Sequence, residues 1–141
     1  MTNSATIENK ISSTKKYLSI LKSYQDYSRQ EIIKSTEKRG AVERYLYLAV
    51  QSTIDLAEAL ASYKNFRKPS TLAESFTILE ENDIIESELT QQLIKMVGFR
   101  NILAHDYGEL DYDIVYDVLQ NRLKDIKKFL DVVEGLIGGY Q

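Results

Sequence analysis

Chemistry is concentrated in one stretch of eight residues, Arg100-Asn101-Ile102-Leu103-Ala104-His105-Asp106-Tyr107. It holds the only histidine among 141 residues, with an arginine five positions before it and a tyrosine two after. Histidine is the side chain suited to exchanging protons near neutral pH, and the planar fork of arginine suits a phosphate. RNA is cut without a metal when its own 2′-hydroxyl attacks the adjacent phosphorus. That reaction needs a base for the hydroxyl, an acid for the leaving oxygen and a cation for the crowded phosphate. One chain supplies one histidine; in a two-fold dimer, the same residue from two protomers could serve as base and acid.

The same residues also suit a purely structural role. An arginine and a histidine at a helix end complement the negative end of the helix dipole. Asp106 can pair with either, and Tyr107 can be an amphipathic packing residue. Asp55, between Ile54 and Leu56, reads as a salt-bridge or buried polar residue, and the lysines of the first helix as a solvated face. Spacing alone leaves both readings open.

On an ideal helix of about 100° per residue, Ile94, Gly98, Asn101 and His105 share a stripe. Asn101 then lies one turn before His105, where its amide is expected to orient the imidazole. Glycine costs about 1 kcal/mol against alanine inside a helix, commonly in exchange for a close backbone approach. Gly98 therefore suggests a packing surface beside the histidine, formed by another copy of the chain. Arg100 lies about 140° from His105 and nearly eclipses Tyr107 two turns on.

The elements that must position this stretch read as helices throughout. A first helix is expected over roughly 5–33, with Ile7, Ile11, Leu18 and Leu21 on one stripe, followed by a polar turn from Ser35 to Gly40. A second spans about 40–64 through Val42, Leu46, Ala49, Thr53, Leu56 and Leu60. Thr71-Leu72-Ala73-Glu74 has the spacing of a capping box and opens a short third helix through Phe76 and Leu79. Glu80 to Glu86 forms an acidic turn. A fourth helix, about 87–106, uses Leu89, Leu93 and Val97 and delivers Arg100 and His105 at its end, with Gly108 as its stop. Asp111 caps a last helix over about 112–137, which Gly138 and Gly139 end. The expected fold is all-α: an antiparallel, up-and-down bundle of four long helices and a short one, in a single domain over 1–141.

Composition narrows the function. With no cysteine and one histidine, thiol chemistry, disulfides and a histidine-rich metal site are excluded. Neither a signal pattern nor an apolar run of about 20 residues is present, so a cytoplasmic protein with no membrane contact is expected. The net charge of −3 is uneven: residues 1–40 carry eight basic and four acidic side chains, residues 41–110 six and eleven. Such a chain grips RNA locally or across subunits rather than by general phosphate neutralisation.

Arg100-Asn101-x-x-x-His105-x-Tyr107 resembles the extended Arg-x4-His motif of HEPN domains in the form found in HepT toxins. Ala41-Val42-Glu43-Arg44, Ile54-Asp55-Leu56-Ala57, Ser75-Phe76-x-x-Leu79 and Tyr112-Asp113-x-Val115-Tyr116 resemble the same family in the same order. The resemblance implies an all-helical HEPN dimer, or a higher homo-oligomer, that acts as a metal-independent ribonuclease without a cofactor. It also implies the toxin half of a prokaryotic toxin–antitoxin pair, partnered by an MntA-type nucleotidyltransferase. On this chain, Arg100 and His105 would be catalytic, Asn101 and Asp106 supporting, and Tyr107 the acceptor of AMP. A rival expectation is a non-catalytic bundle that binds substrate for a minimal nucleotidyltransferase. A third is a plain dimerisation module.

Overall fold

The computed structural model describes residues 3–105 and 110–138. Among these, seven α-helices and one π-helical turn carry the fold, and no strand is present. The all-α bundle stands as expected, but its helices are divided differently.

The segment expected as one helix over 5–33 is two. The first, α1, runs Ser4–Lys22, with Asn3 capping its start through Thr6 N–H at 2.9 Å. It stops at Ser23, where both the hydroxyl and the N–H donate to the Ile20 carbonyl. A capping box then starts α2, Arg29–Lys34. The Ser28 hydroxyl accepts from Glu31 N–H at 3.1 Å, and the Glu31 carboxylate accepts from Ser28 N–H at 2.8 Å. Reciprocal satisfaction of two orphan donors makes this a helix start rather than a helix interior.

The polar turn expected over Ser35–Gly40 is instead the first turn of α3, Thr36–Tyr63. The Ser35 hydroxyl accepts from Lys38 N–H at 3.1 Å and supplies the missing acceptor. Such a cap contributes about 1 kcal/mol and offsets the cost of Gly40 inside the helix. At 28 residues, α3 is the axis of the bundle and touches α1, α2 and each of the four later α-helices. It ends at Asn65, whose φ of 60° places it in the left-handed region, while Phe66 N–H reaches back to the Ala61 carbonyl at 2.9 Å.

The short helix α4 covers Glu74–Glu81. Half of its expected capping box forms: the Thr71 hydroxyl accepts from Glu74 N–H. The Glu74 carboxylate turns one residue further back and accepts from Ser70 N–H and Oγ instead. Helix α5, Ser87–His105, follows the expected span as far as it is described.

The expected single helix over 112–137 is interrupted. Asp111 caps α6, Tyr112–Asp117, as expected. A π-helical turn at Val118–Arg122 then leads into α7, Leu123–Leu136. The turn is answered by Gln25 from the α1–α2 connection. Gln25 Nε2 donates to the Leu119 carbonyl and Gln120 Nε2 to the Gln25 carbonyl, both at 2.8 Å. An external donor on a widened turn compensates for its altered backbone ladder. Gly138, with φ of 117°, sits just past the end of α7. Gly108 and Gly139 lie outside the described residues.

The core runs the length of the bundle, with Ile7, Leu21, Leu46, Ile54, Phe76 and Phe129 fully buried. Phe76 and Phe129 meet edge to face at 5.7 Å, joining α4 to α7. Between α1 and α3, the buried Thr14 and Ser52 hydroxyls share a 2.7 Å hydrogen bond. This bond fixes the register of α1 along the face of α3 that carries the site. Among the described residues, no helix is long and apolar enough to cross a membrane.

Candidate active site

The sequence of α5 divides it into two faces. Leu93, Met96, Val97 and Phe99 enter the core, while Gly98, Asn101, Ile102 and His105 are exposed. Ile102 retains 41% of its exposure, unusual for a large aliphatic residue. The stripe expected to carry His105 is therefore an open face of the protomer. Among the described residues, nothing outside the helix's own backbone lies within 4 Å of a Cβ built on Gly98.

Arg100 turns away from this face toward α3. Its Nε donates to Gln51 Oε1 and its Nη1 to Asn101 Oδ1, both at 2.8 Å. Nη2 reaches the Tyr47 hydroxyl at 3.4 Å, and the guanidinium lies over the Tyr47 ring, 5.3 Å from its centroid. Gln51 in turn donates from Nε2 to Asp55 Oδ1 at 2.9 Å, and Lys10 stands 3.8 Å from Asp55 Oδ2. Asn101 thus serves the guanidinium, not the imidazole as its stripe position suggested. The side chain of Arg100 swings toward α3 and brings its donors within reach of the amide oxygen.

The acceptors on Arg100 are all uncharged. Elsewhere, Arg29, Arg39, Arg67 and Arg122 face carboxylates, with Arg67 between Glu74 and Glu81. Arg100 is pinned without charge compensation from any described residue. Three of its five N–H groups are engaged, and one on each terminal nitrogen meets no acceptor among the described residues. A pinned, uncompensated fork is the arrangement an oxyanion requires.

Within one chain, none of these bonds joins Arg100 to His105. Asp106 and Tyr107, expected as supporting residue and AMP acceptor, lie outside the described residues. Asp55 is the half-buried ion-pair residue expected, and the lysines of α1 are only partly a solvated face. Lys10 faces Asp55, and Lys15 pairs with Glu134 at 2.8 Å. Sequence reasoning missed Tyr47 and Gln51. Their signal was present: Tyr47, Gln51 and Asp55 recur every four residues on α3, beside buried Leu46, Val50 and Ile54.

A cavity of about 840 Å³ lies away from this site, between the α4–α5 connection and α7. Glu80, Asp83, Glu86 and Asp131 on its wall would repel a phosphate. Among the described residues, no group of three or more His, Asp or Glu side chains is placed to hold a metal ion.

A second anchor joins Arg39 and Glu43 of α3 to Tyr112 of α6. The Tyr112 hydroxyl donates to Glu43 Oε2, and Arg39 lies 5.0 Å over the Tyr112 ring. Burial, reinforced by the bond to Glu43, pushes the Tyr112 phenol up to about 12.

Fold and site together define an all-helical HEPN-type bundle with an Arg-x4-His pair at the end of its fifth helix. The Ribonuclease HepT-like family model matches residues 14–133, and the chain belongs to that family. It is 40% identical over 84 residues to the mRNA nuclease HepT of Shewanella oneidensis, a match covering 60% of this chain and 63% of that protein. With the tRNA nuclease HepT of Aphanizomenon flos-aquae it shares 31% identity over 110 residues, 78% of this chain and 75% of that one. The solved structure of the tri-AMPylated Shewanella oneidensis HEPN toxin in complex with MNT antitoxin superposes with a TM-score of 0.84. Identity there is 34%, over 92% of this chain and 96% of the toxin.

Proposed function

We propose that this chain is a metal-independent endoribonuclease, the toxin of a prokaryotic toxin–antitoxin pair, acting as one HEPN-type domain over residues 1–141. The observation that carries this reading is the state of Arg100, held by neutral acceptors with two N–H groups unmatched by any described residue. The relatives named as mRNA and tRNA nucleases support RNA as the substrate.

In this reading, two protomers meet through the open α5 face of Gly98, Asn101, Ile102 and His105. One His105 removes the proton from the RNA 2′-hydroxyl, whose oxygen attacks phosphorus. The partner protomer's copy of the same residue gives a proton to the departing 5′-oxygen. The products are a 2′,3′-cyclic phosphate and a free 5′-hydroxyl. Arg100 pairs with the non-bridging oxygens as charge gathers on them.

Silencing follows from AMP transfer to Tyr107 by an MntA-type nucleotidyltransferase. The added phosphate and nucleotide would occupy Arg100 and block the approach of RNA. The AMPylated toxin in the Shewanella oneidensis complex supports this regulation.

The test is incubation of the purified protein with total RNA in EDTA, comparing wild type with Arg100→Ala and His105→Ala. Chelator-resistant cleavage lost in both variants is expected. No cleavage by any of the three would favour a non-catalytic partner of the nucleotidyltransferase.

A further inference from the structure

We propose that Asp55 and Gln51 form a positioning pair that aims Arg100 at phosphate while leaving its charge uncancelled. The inference rests on the nuclease reading for its consequence in catalysis, but its geometry stands apart from it.

A carboxylate in its ionised form only accepts hydrogen bonds. Asp55 Oδ1 therefore takes the Gln51 NH2 group, and this fixes which way the amide faces. The carbonyl end of Gln51 is left to face Arg100 Nε, where it accepts at 2.8 Å. Without Asp55 the amide is free to turn over and present its own donors to a guanidinium that has none but donors.

The charge of Asp55 is directed elsewhere. Its Oδ2 faces Lys10 at 3.8 Å, and α1 is held there by the Thr14 hydroxyl, which donates to the Lys10 carbonyl and meets Ser52. The neutral amide of Gln51 thus transmits orientation from Asp55 to Arg100 without transmitting negative charge. An ionised glutamate at position 51 would still accept from Arg100 Nε, but would lose the donor to Asp55 and neutralise the guanidinium. Arg67, clamped by Glu74 and Glu81, shows what that outcome looks like in the same protein. These carboxylates hold the Arg67 guanidinium well above its ordinary value, the mark of a spent charge.

The decisive variant is Gln51→Glu, read by RNA cleavage and by the exchange of Arg100 Nε–Hε. Ionised glutamate still accepts from Arg100 Nε but brings the negative charge that glutamine lacks. Among the described residues, the charged and phenolic groups around this position are Asp55 and Tyr47 on α3, Arg100 on α5 and, through Asp55, Lys10 on α1.

At about pH 7.5, Gln51→Glu is expected to cleave RNA at least ~10-fold more slowly than wild type, while its Arg100 Nε–Hε exchanges with water at close to the wild-type rate. Arg100 Nε–Hε, assigned in NMR spectra by its loss in Arg100→Ala, should exchange with water at least ~10-fold faster in Gln51→Met and Asp55→Ala. Thermal unfolding of each variant separates misfolding from misaiming. Wild-type cleavage by Gln51→Glu while Arg100→Ala is inactive overturns the inference and leaves the nuclease reading intact. If wild type and Arg100→Ala do not differ on RNA, the nuclease reading fails, and unchanged Nε–Hε exchange in both Gln51→Met and Asp55→Ala would dispose of the positioning pair as well.

Discussion

The Arg100 guanidinium lies over the face of Tyr47, 5.3 Å from the ring centroid, with the Tyr47 hydroxyl 3.4 Å from Nη2. The aromatic face attracts the cation without carrying a net charge that would cancel it. Together with Gln51 and Asn101, Tyr47 holds a long, flexible side chain in one orientation before any substrate arrives. Pre-organisation of this kind lowers the cost of gathering charge in a transition state.

Arginine's fork, rather than its charge alone, is what these contacts hold. Arg100→Lys keeps the charge but cannot bond Gln51 and Asn101 while presenting two N–H groups to phosphate. Its cleavage rate on RNA is expected to fall ~100-fold or more in single-turnover assays, with thermal stability little changed. A rate within a few-fold of wild type would mean that point charge suffices.

The shared-site reading makes a stoichiometric prediction. In mixed dimers with one wild-type and one His105→Ala subunit, every composite cleft lacks either its base or its acid. Cleavage per mixed dimer should fall by about 100-fold, the scale of losing one proton-transfer group. Half-activity or more in separately tagged, purified mixed dimers would show that one His105 suffices per site.

Silencing by the antitoxin should depend on a single phenol. Tyr107→Phe is expected to take up no AMP from ATP and the nucleotidyltransferase, and its RNA cleavage should persist when the antitoxin is present. Mass spectrometry of the co-expressed pair checks the first point and an RNA gel the second. Continued silencing of Tyr107→Phe would mean that binding, or another acceptor, is responsible.

Core packing far from the site predicts a stability change. Phe129 is fully buried and meets Phe76 edge to face. Phe129→Ala removes both the transfer energy and the aromatic contact, and should cost about 3–5 kcal/mol in urea unfolding.

Alkaline pH should loosen the anchor between α3 and α6. The Tyr112 phenol is raised to about 12 in the folded chain, mainly by burial and then by Glu43. A raised folded value means that its contribution is fully present below the unfolded value, near 10, and is lost as pH climbs toward 12. Stability measured by urea midpoint should decline over that window, and the decline should be shallower in Tyr112→Phe. An identical slope in the two proteins would assign the loss to other groups.

The sequence by itself determined the all-helical class, the buried stripes and the placing of Arg100 and His105 near the end of α5. Helical periodicity and motif spacing are local properties, and each survives without knowledge of neighbours. Local signals also held the correct starts of α2 and α3, in Ser28-x-x-Glu31 and Ser35. An apolar stripe that runs on past Ser28, and Gly40 inside α3, mask these starts in the sequence.

What only the tertiary structure decided is the company Arg100 keeps. Gln51 is 49 residues away, and Asn101 accepts from Arg100 because a helical stripe fixes Cβ directions and not where a long side chain travels. The π-helical turn at Val118–Arg122 was likewise invisible, since its compensating donor, Gln25, comes from another element. Hydrogen-bond satisfaction is settled between elements, after the chain has packed.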